Sequence, residues 1–434
     1  MRNRLKLVAA ASALGLGAIG VVAPSAAAGQ RSTPSVPGVS STSVTVGALM
    51  TLSGVLAADF GAEVDGVKAY FAMVNASGGV NGRQINLKYV EDDGSSPTND
   101  VEDAHQLVQS DHVFAVVGVG TAFFPAASYL VSTKTPTYGY AVENNWSPAP
   151  NMFAAYGSYI SFQDSAAPIG YLIKQTLGKQ TPEVGLLAYN VAQSSDECQG
   201  LNTAFKSLGI KVAYVNNQIP YLSPFGSIVE RMALNHVNYV VSCMDEGGDI
   251  SLEDQMHIGG MGSVKSLWFD GYDRSALNQN QGQYANASFL IQHVPFEAAA
   301  AYPHAFPGLT TYLNQMNATY PADTYSEVAM EGWQSAALFV QGLEGAGKNP
   351  TQASLVTATN AIKNFTANGL TTPVNWSVAH SKDTSPACEA FVSVSGSKFQ
   401  LALNRGTDPW VCFPLGSKVN LANPVAPPAG SPGA

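Results

Sequence analysis

The sequence predicts an α/β protein of two lobes, each built on a doubly wound parallel sheet. Segments with strand and helix periodicity alternate through the first part of the chain, and the same alternation restarts near Val184. Val113–Val119 is a nearly continuous apolar run, which is typical of a parallel strand buried on both faces. Because strand–helix alternation gives parallel sheets covered by helices, two such runs indicate two lobes.

The elements of the first run follow from the spacing of their apolar residues. Alternating apolar and polar residues predict strands, and apolar steps of three and four predict helices. Paired glycines end a helix, and an asparagine can cap one. In chain order these signals predict a strand at Val44–Met50, a helix carrying Val64, Val67, Phe71 and Val74 that Gly78 and Gly79 end, a strand at Ile85–Tyr89, a helix capped by Asn99, the strand at Val113–Val119, a helix from about Pro125 and a strand at Pro136–Tyr140.

The second run repeats this pattern and predicts a second sheet. Its strands are expected at Val184–Tyr189, Lys211–Asn216 and Val237–Cys243, and its helices at Cys198–Leu208 and Phe225–Asn235. Ligands of open α/β sheets bind beyond the carboxyl ends of the strands. The residues that directly follow each predicted strand are therefore the candidates for a binding site.

Composition and charge narrow the function classes. Of the 434 residues, 46% are hydrophobic and 12% are charged, which excludes a wholly disordered chain. The length predicts two or three domains, each large enough to bury a core. Lys and Arg total 21 against 31 Asp and Glu, a formal charge of −10. An acidic chain without a basic run argues against nucleic acid or an anionic membrane as a partner.

The N-terminal residues 1–28 have the pattern of a secretory signal peptide. Arg2, Arg4 and Lys6 precede the apolar stretch Leu7–Ala23 and the small residues Ala26–Ala28. A retained membrane anchor is the alternative, although the stretch is short and weakly hydrophobic. No Cys follows for lipid attachment, so we expect a protein secreted or held in the cell envelope outside the cytoplasm. Residues 29–43 are predicted to form a flexible linker and residues 417–434 a flexible tail, because small residues and Pro are frequent there.

Four cysteines follow the predicted signal peptide: Cys198, Cys243, Cys388 and Cys412. An even number in an exported protein suggests two disulfides, with three pairings to choose from. Cys388 and Cys412 flank a hairpin-like stretch, Phe391–Phe399, so local pairing of 198 with 243 and of 388 with 412 is favoured. Buried free thiols are the alternative. The absence of a Cys-x-x-Cys pair argues against a redox or zinc site.

Several short motifs follow one another along the chain. The most specific is the helix end and turn Val74–Arg83, which contains Gly-Gly-Val-Asn-Gly-Arg. The others are Val46–Gly54 with Phe60 and Gly61, Glu91–Asp93 with Pro97, Val117 and Gly118 with Pro125 and Ala126, and Glu331–Trp333 with the Ala-rich helix that leads to Gly347. Together, over residues 44–416, they resemble the branched-chain amino-acid binding proteins of ABC importers, which are type I periplasmic binding proteins.

The resemblance implies two Rossmann-like lobes joined by a three-segment hinge, with a ligand cleft between them. By this analogy the first lobe takes residues 44–158 and 286–374, and the second takes residues 159–285 and 375–416. We therefore expect an exported, monomeric solute-binding protein that captures a small amphipathic carboxylate and presents it to a membrane ABC permease. The solute would be a branched-chain or aromatic amino acid or a related acid. The alternative is an extracellular sensor of the same fold that docks on a signalling partner.

The loop after the buried strand offers donors for a solute carboxylate. Gly118–Ala122 follows that strand and opens a helix, so it can present backbone N–H groups and a hydroxyl. By the resemblance, Thr121 takes the position of a carboxylate-binding Ser, and Ala122 and Phe123 belong to the same loop. The alternative is that Thr121 only caps its helix.

Aromatic residues at strand ends predict a cleft lined with rings. Phe60 matches an aromatic wall position of the family, whereas Tyr138 and Tyr140 stand where the family has small residues and a Thr. An aromatic side chain can bury about 150–250 Å², so these rings would add apolar wall. Packing in the core remains the alternative for any single one of them.

A ligand ammonium group would need a carboxylate partner. Asp270 matches the family's acidic position after a second-lobe strand, and Asp245 is the competing acid after Cys243. A solvated surface acid is the alternative for each. Tyr189 follows another strand and is a weaker candidate, while the family's second-lobe Tyr is missing from Ser194–Cys198.

Enzyme signatures are missing from the sequence. It contains no Gly-x-Ser-x-Gly elbow and no His-Glu-x-x-His metal helix, and its seven His residues lack ligand spacing. We therefore expect no catalysis, no cofactor and no metal. An exported hydrolase is the least favoured alternative.

Overall fold

The computed structural model describes residues 36–320, 326–383, 386–416 and 418–434. The predicted signal peptide at 1–28 and the linker as far as residue 35 lie outside these ranges. Within them, two sheets of five and eight strands carry helices on their faces, which confirms the α/β prediction. No helix of the described ranges is both long enough and apolar enough to cross a membrane.

The first sheet is entirely parallel and has the strand order β2-β1-β3-β4-β5. This order is one of the two common doubly wound arrangements, and it reverses direction between β1 and β3. The strands are β1 (Ser43–Met50), β2 (Gln84–Asp92), β3 (Val116–Gly120), β4 (Thr137–Gly139) and β5 (Met152–Ala154).

Eight helices complete the first lobe in the described ranges. Four connect its strands, and four come from a later part of the chain. They are α1 (Ala57–Phe60), α2 (Glu63–Ala76), α3 (Pro97–His105) and α4 (Ala127–Ser132), then α11 (Ala298–Ala301), α12 (Pro307–Thr319), α13 (Glu327–Ala346) and α14 (Gln352–Asn360). A π-helical turn (Gln106–Ser110) continues α3, and a 3₁₀ turn (Asn144–Trp146) follows β4.

Helices α2 and α13 approach each other closely enough for their backbones to touch. A Cβ atom on Gly66 of α2 would lie 1.8 Å from the carbonyl oxygen of Ala329, and one on Gly332 of α13 would lie 1.9 Å from that of Glu63. Only glycine fits at these crossings, because any side chain would overlap the facing backbone. The contact brings Glu63 and the N-terminal half of α13 together.

The second sheet repeats the same winding. Its parallel strands have the order β7-β6-β8-β9-β10, and antiparallel β11 extends the sheet to β12, with β13 paired beside it. The strands are β6 (Glu183–Tyr189), β7 (Lys211–Ile219), β8 (Tyr239–Ser242), β9 (Lys265–Trp268), β10 (Ala287–Ile291), β11 (Ala387–Ser395), β12 (Lys398–Leu401) and β13 (Val411–Phe413). The helices are α5 (Ala166–Leu177), α6 (Ala192–Ser207), α7 (Gly226–Leu234), α8 (Glu246–Ile258), α9 (Arg274–Gln279) and α10 (Gln281–Tyr284).

Three segments cross between the lobes, after β5, after β10 and after α14, and hydrogen bonds join them. Val294 N donates to Leu370 O at 2.7 Å, and Ser158 N donates to Ala379 O at 3.0 Å. The second crossing begins after Ile291, because β10 pairs with β9 and β11. The boundary predicted from the sequence, between residues 285 and 286, instead places β10 in the first lobe.

Two further local expectations differ from the structure. Ser96, and not Asn99, caps α3, because the Ser96 hydroxyl accepts the Asn99 backbone N–H. The C-terminal residues expected to be a flexible tail pack onto the protein: Leu421 is buried in the second lobe's core, and the Trp410 indole donates to Pro432 O at 2.9 Å.

The cysteines divide into one bonded pair and two thiols. Cys388 and Cys412 face each other on paired β11 and β13 and form a disulfide, as expected. Cys198 and Cys243 are not joined, which differs from the favoured pairing. Both are buried, and the Cys198 thiol contributes, after burial, to the raised pKa of Cys243.

Candidate ligand-binding cleft

A cavity of about 490 Å³ lies between the two lobes, at the carboxyl ends of both sheets. Each sheet reverses its winding next to its first strand, and there the loops diverge and leave room for a ligand. The first lobe contributes the segments after β1, β3 and β4, and the second contributes those after β6, β8 and β9. The doubly wound order of both sheets therefore positions the cavity.

Seven of the nine residues that the sequence assigned to a ligand line this cavity. Both lobes supply them, and they combine rings with carboxylates. They are Phe60, Ala122, Phe123, Tyr140, Tyr189, Asp245 and Asp270. The structure thus brings together residues that are up to 210 positions apart in the chain.

Thr121 lies behind the cavity wall and is engaged elsewhere. Its hydroxyl lies 2.6 Å from Asp93 Oδ2 and 3.1 Å from Phe123 O, and Thr51 donates to Asp93 Oδ1 at 2.8 Å. Asp93 is 1% exposed, so both hydroxyls serve a buried carboxylate. The Thr121 hydroxyl, which the resemblance assigns to a solute carboxylate, therefore binds Asp93 instead.

Tyr138 lies in the core of the first lobe and does not line the cavity. Its ring stacks on Phe153 with 4.9 Å between centroids, and its hydroxyl is 2.8 Å from that of Thr359. Tyr140 lies beyond the end of β4, where the chain leaves the sheet, and it lines the cleft. Burial and nearby acids, Glu331 first among them, raise the pKa of Tyr140.

Apolar side chains form most of the cavity wall. The chain contributes rings and branched residues from both lobes, which favours an apolar ligand body. They are Val55, Leu56, Phe60, Phe123, Val142, Ile160, Phe162, Val191, Met244, Phe269 and Val328.

Carboxyl groups of both lobes meet at one side of the cavity. Asp59 of α1 belongs to the first lobe, whereas Asp245, Glu246 and Asp270 belong to the second. Burial, and then the charges of Asp270, Asp245 and Glu246, raise the pKa of Asp59 to about 9. Burial is also the main cause that raises the pKa of Asp270 to about 7 and that of Glu246 to about 8.

A second pair of acids, Glu327 and Glu331, lines the cavity one helical turn apart on α13. Glu331 is 2% exposed, and its Oε2 has no hydrogen-bond partner in the described part of the chain. Burial raises its pKa to about 8, an effect that the nearby Tyr156 hydroxyl partly offsets. Glu63 lies behind it, buried, with both carboxyl oxygens also unpartnered among the described residues.

A smaller cavity of about 270 Å³ adjoins the first on the hinge side and shares Tyr140, Glu327 and Glu331 with it. It is more polar, and its acids include Asp383 and Glu389. Burial raises the pKa of Glu389 to about 8. Lys382, an exposed residue, is the basic side chain among the described residues lining it.

The Gln193 side chain joins the lobes across the cleft. The Gln193 amide, in the first turn of α6, donates to Ala122 O and to Glu143 Oε1 of the first lobe. Glu143 is held in turn by Asn145, whose amide donates to its Oε2 at 2.7 Å. Gln193 also lines the cavity, so it connects the ligand space with the contact between lobes.

The described residues contain no cluster of three or more His, Cys, Asp or Glu side chains arranged to hold a metal ion.

The family model described as "Periplasmic binding protein" matches residues 43–395 of the sequence. The chain belongs to the periplasmic binding protein family. This confirms the family resemblance that the sequence motifs indicate. No curated protein sequence matches the chain.

Solved structures show the same fold as this periplasmic binding protein. The fatty acid ABC transporter substrate-binding protein from Thermomonospora curvata gives a TM-score of 0.71 at 20% identity, covering 91% of this chain and 97% of that one. A solute-binding protein of an ABC transporter from R. palustris, in complex with benzoate, gives 0.67 at 18%, covering 86% and 98%. The branched-chain amino acid transporter substrate-binding protein from Streptococcus pneumoniae, in complex with isoleucine, gives 0.65 at 15%, covering 83% and 98%.

Sequence reasoning missed several cleft residues of this periplasmic binding protein. Asp59 directly precedes the Phe60 that was recognised, and Glu331 opens a quoted motif without having been assigned a role. Glu327 and Glu331 stand four residues apart in a mostly apolar helix, and this spacing indicates acids on one face. No sequence pattern indicates the role of Gln193, because its hydrogen-bond partners belong to the other lobe.

Proposed function

We propose that this periplasmic binding protein is the solute-binding component of an ABC importer outside the cytoplasm. It captures a small amphipathic solute between its lobes, leaves it chemically unaltered and presents the closed complex to a membrane permease. The starting candidates are branched-chain and aromatic amino acids and their related acids.

One observation carries the proposal: the cavity of about 490 Å³ is bounded by strand-end loops of both lobes. That volume falls in the range of about 300–1,000 Å³ typical of small-molecule sites. A site shared by two lobes couples ligand binding to their relative position, because contacts to both lobes form only when they close.

Closure is a shift between two populations of the hinged protein. The Gln193 bonds to Ala122 and Glu143 exist only while the lobes are together. A ligand that touches Phe60 and Phe123 on one side and Phe269 on the other favours the same state. The permease would then recognise the surface that closure creates.

The test is calorimetry combined with small-angle scattering on the mature protein. The panel contains amino acids, their deaminated acids and the corresponding amines. We expect at least one solute to bind with measurable heat, to change the scattering curve and to be recovered unaltered by mass spectrometry.

A cavity-filling variant provides the matched control. Ala122→Trp adds a bulky ring to a cavity-lining position and should abolish the heat of binding while the circular dichroism spectrum persists. Flat calorimetry and unchanged scattering across the whole panel, or a solute recovered in altered form, would contradict the proposed function.

A further inference from the structure

The charged residues that line the cleft cavity in the described part of the chain all have the same sign. No Lys, Arg or His lines it, whereas six carboxyl groups do. They are Asp59, Glu197, Asp245, Asp270, Glu327 and Glu331. A ligand enclosed here meets carboxyl groups on both lobes, and when these groups are ionised they repel one another as the lobes close.

Glu331 provides an independent sign that a ligand group is needed. It lines the cavity, is 2% exposed and keeps an oxygen, Oε2, without a hydrogen-bond partner in the described structure. A buried carboxyl oxygen that lacks a donor costs free energy, which a donor on the ligand would recover. For the ionised carboxylate the missing group is a hydrogen-bond donor, which an ammonium group supplies.

Two donors that could hold a solute carboxylate are already engaged. The Thr121 hydroxyl is 2.6 Å from Asp93 Oδ2. The positive end of α8, which opens beside the cavity, is capped by its own Asp245, whose Oδ1 accepts Gly248 N at 2.6 Å. At these two places an anionic ligand would thus compete with the protein's own carboxylates.

The protonation of the cleft acids agrees with this geometry. Burial raises the pKa of Asp59 to about 9 and that of Glu331 to about 8, so these carboxyls hold protons near neutral pH when no cation is present. A bound ammonium group would take the place of these protons, because it favours the ionised carboxylates. A metal ion is a poor substitute, since the described acids form no metal-binding cluster.

We propose that the cleft selects a small amphipathic cation: an amine with a branched or aromatic apolar body and no free carboxylate. This rests on the proposed function and replaces its starting candidates, the amino acids and their related acids, by the corresponding amines. The apolar wall around Phe60, Phe123 and Phe269 takes the body, and the carboxylates of Asp59 and Asp270 take the ammonium from opposite lobes. The body and the charge are thus recognised by different parts of one cavity.

Three ligands with one shared body test the proposal: phenethylamine, phenylalanine and 3-phenylpropanoate. Titration calorimetry at about pH 8 keeps the amine protonated while much of the acidic cluster can ionise. We expect phenethylamine to bind at least about tenfold more tightly than phenylalanine, and 3-phenylpropanoate to give no heat. The series 3-methylbutylamine, leucine and 4-methylpentanoate repeats the comparison with a branched body.

Single substitutions identify the carboxylates that bind the ammonium group. Asp270→Asn and Asp59→Asn should each weaken phenethylamine binding about tenfold or more, because each removes a charge from the ammonium site. Asp196→Asn, an exposed acid on α6 that does not line the cavity, should leave the affinity unchanged. Thermal melting shows whether each variant is folded, and the ligand series tests the proposal without any variant.

The outcomes separate this inference from the proposed function. Tighter binding of phenylalanine or 3-phenylpropanoate than of phenethylamine overturns the inference and leaves solute capture intact. Equal affinity of the wild type and Asp270→Asn and Asp59→Asn for the amine also overturns it. If no member of either series binds or changes the scattering curve, both the inference and the proposed function fail.

Discussion

Asp93 is the centre of a small polar network under the cleft. Its carboxylate receives hydrogen bonds from the hydroxyls of Thr51 and Thr121 and from the backbone N–H of Ser95, at 2.8, 2.6 and 2.8 Å. Because the carboxylate is buried, it depends on these donors. The network therefore connects the loops after β1, β2 and β3 beneath the ligand space.

Thr121→Val should reduce stability. The substitution keeps the shape but removes the donor to Asp93, and we expect the free energy of unfolding to fall by about 1–3 kcal/mol in urea denaturation. Thr121→Ser, which restores the hydroxyl, is the matched control and should stay near the wild type. A Thr121→Val protein as stable as the wild type but unable to bind any solute would assign the hydroxyl to the ligand instead.

The thiol count tests the cysteine arrangement. Since Cys198 and Cys243 are buried and unbonded, a thiol reagent should find two thiols in denaturant and almost none in the folded protein. No thiols in denaturant would show a bond between 198 and 243. Four thiols would show that Cys388 and Cys412 are not joined.

At the scale of elements, helix α13 determines much of the first lobe's packing. Its backbone touches α2 at Gly66 and Gly332, and its Glu327 and Glu331 reach the cleft. The position of the two acids thus depends on how closely the helices approach.

Gly66→Ala should destabilise the protein strongly. The new Cβ would lie 1.8 Å from Ala329 O, so the helices must separate, and we expect a loss of at least about 1–3 kcal/mol by denaturant unfolding. Gly282→Ala, on α10 with no atom within 4 Å of the added Cβ, is the control and should be neutral or slightly stabilising. Equal stability of the two variants would contradict the close packing of α2 and α13.

The sequence predicts the elements better than it predicts their surroundings. The apolar runs that became β1, β3, β6 and β8 were readable because a buried parallel strand is apolar throughout. The strand Ala287–Ile291 was assigned to the wrong lobe, because its sequence does not show which sheet it joins. The family motifs place Phe60 and Asp270 in the cleft. The hydrogen bonds of Thr121 with Asp93 and of Gln193 with Glu143 could not be predicted, because they depend on contacts between distant segments.

At the scale of the whole molecule, the Tyr272 hydroxyl joins the lobes by donating to Glu297, and the bonds of Gln193 span the cleft. Gln193→Ala should shift the ligand-free protein towards an open form and weaken solute binding about tenfold, since closure then lacks two hydrogen bonds. Scattering should show a larger radius of gyration. Gln199→Ala, exposed on the same helix, is the control and should change neither quantity.

The acidic cleft also predicts how stability depends on pH. Folded-state pKa values are raised to about 9 for Asp59, about 8 for Glu331 and about 7 for Asp270, above the ordinary value for each carboxyl. The folded protein then binds more protons than the unfolded chain, so the free energy of unfolding falls as the pH rises through these values. Buried His293, with a pKa lowered to about 4, is neutral in both states above about pH 7 and does not oppose the trend.

Calorimetric melting of the ligand-free protein should therefore show a falling melting temperature from about pH 7 to about pH 9. A saturating amine should flatten this decline, because it compensates the ionised carboxylates. A melting temperature that stays level or rises over the same interval would contradict the raised pKa values.

The proposed ligand site is one cavity between the two lobes that encloses an apolar body and a positive charge. A crystal structure with 4-bromophenethylamine tests it most directly, because anomalous scattering locates the bromine independently of the protein phases. We predict bromine among Phe60, Phe123 and Phe269 and nitrogen between Asp59 and Asp270. Bromine outside this cavity, or a cavity that binds 3-(4-bromophenyl)propanoate and not the amine, would contradict the account.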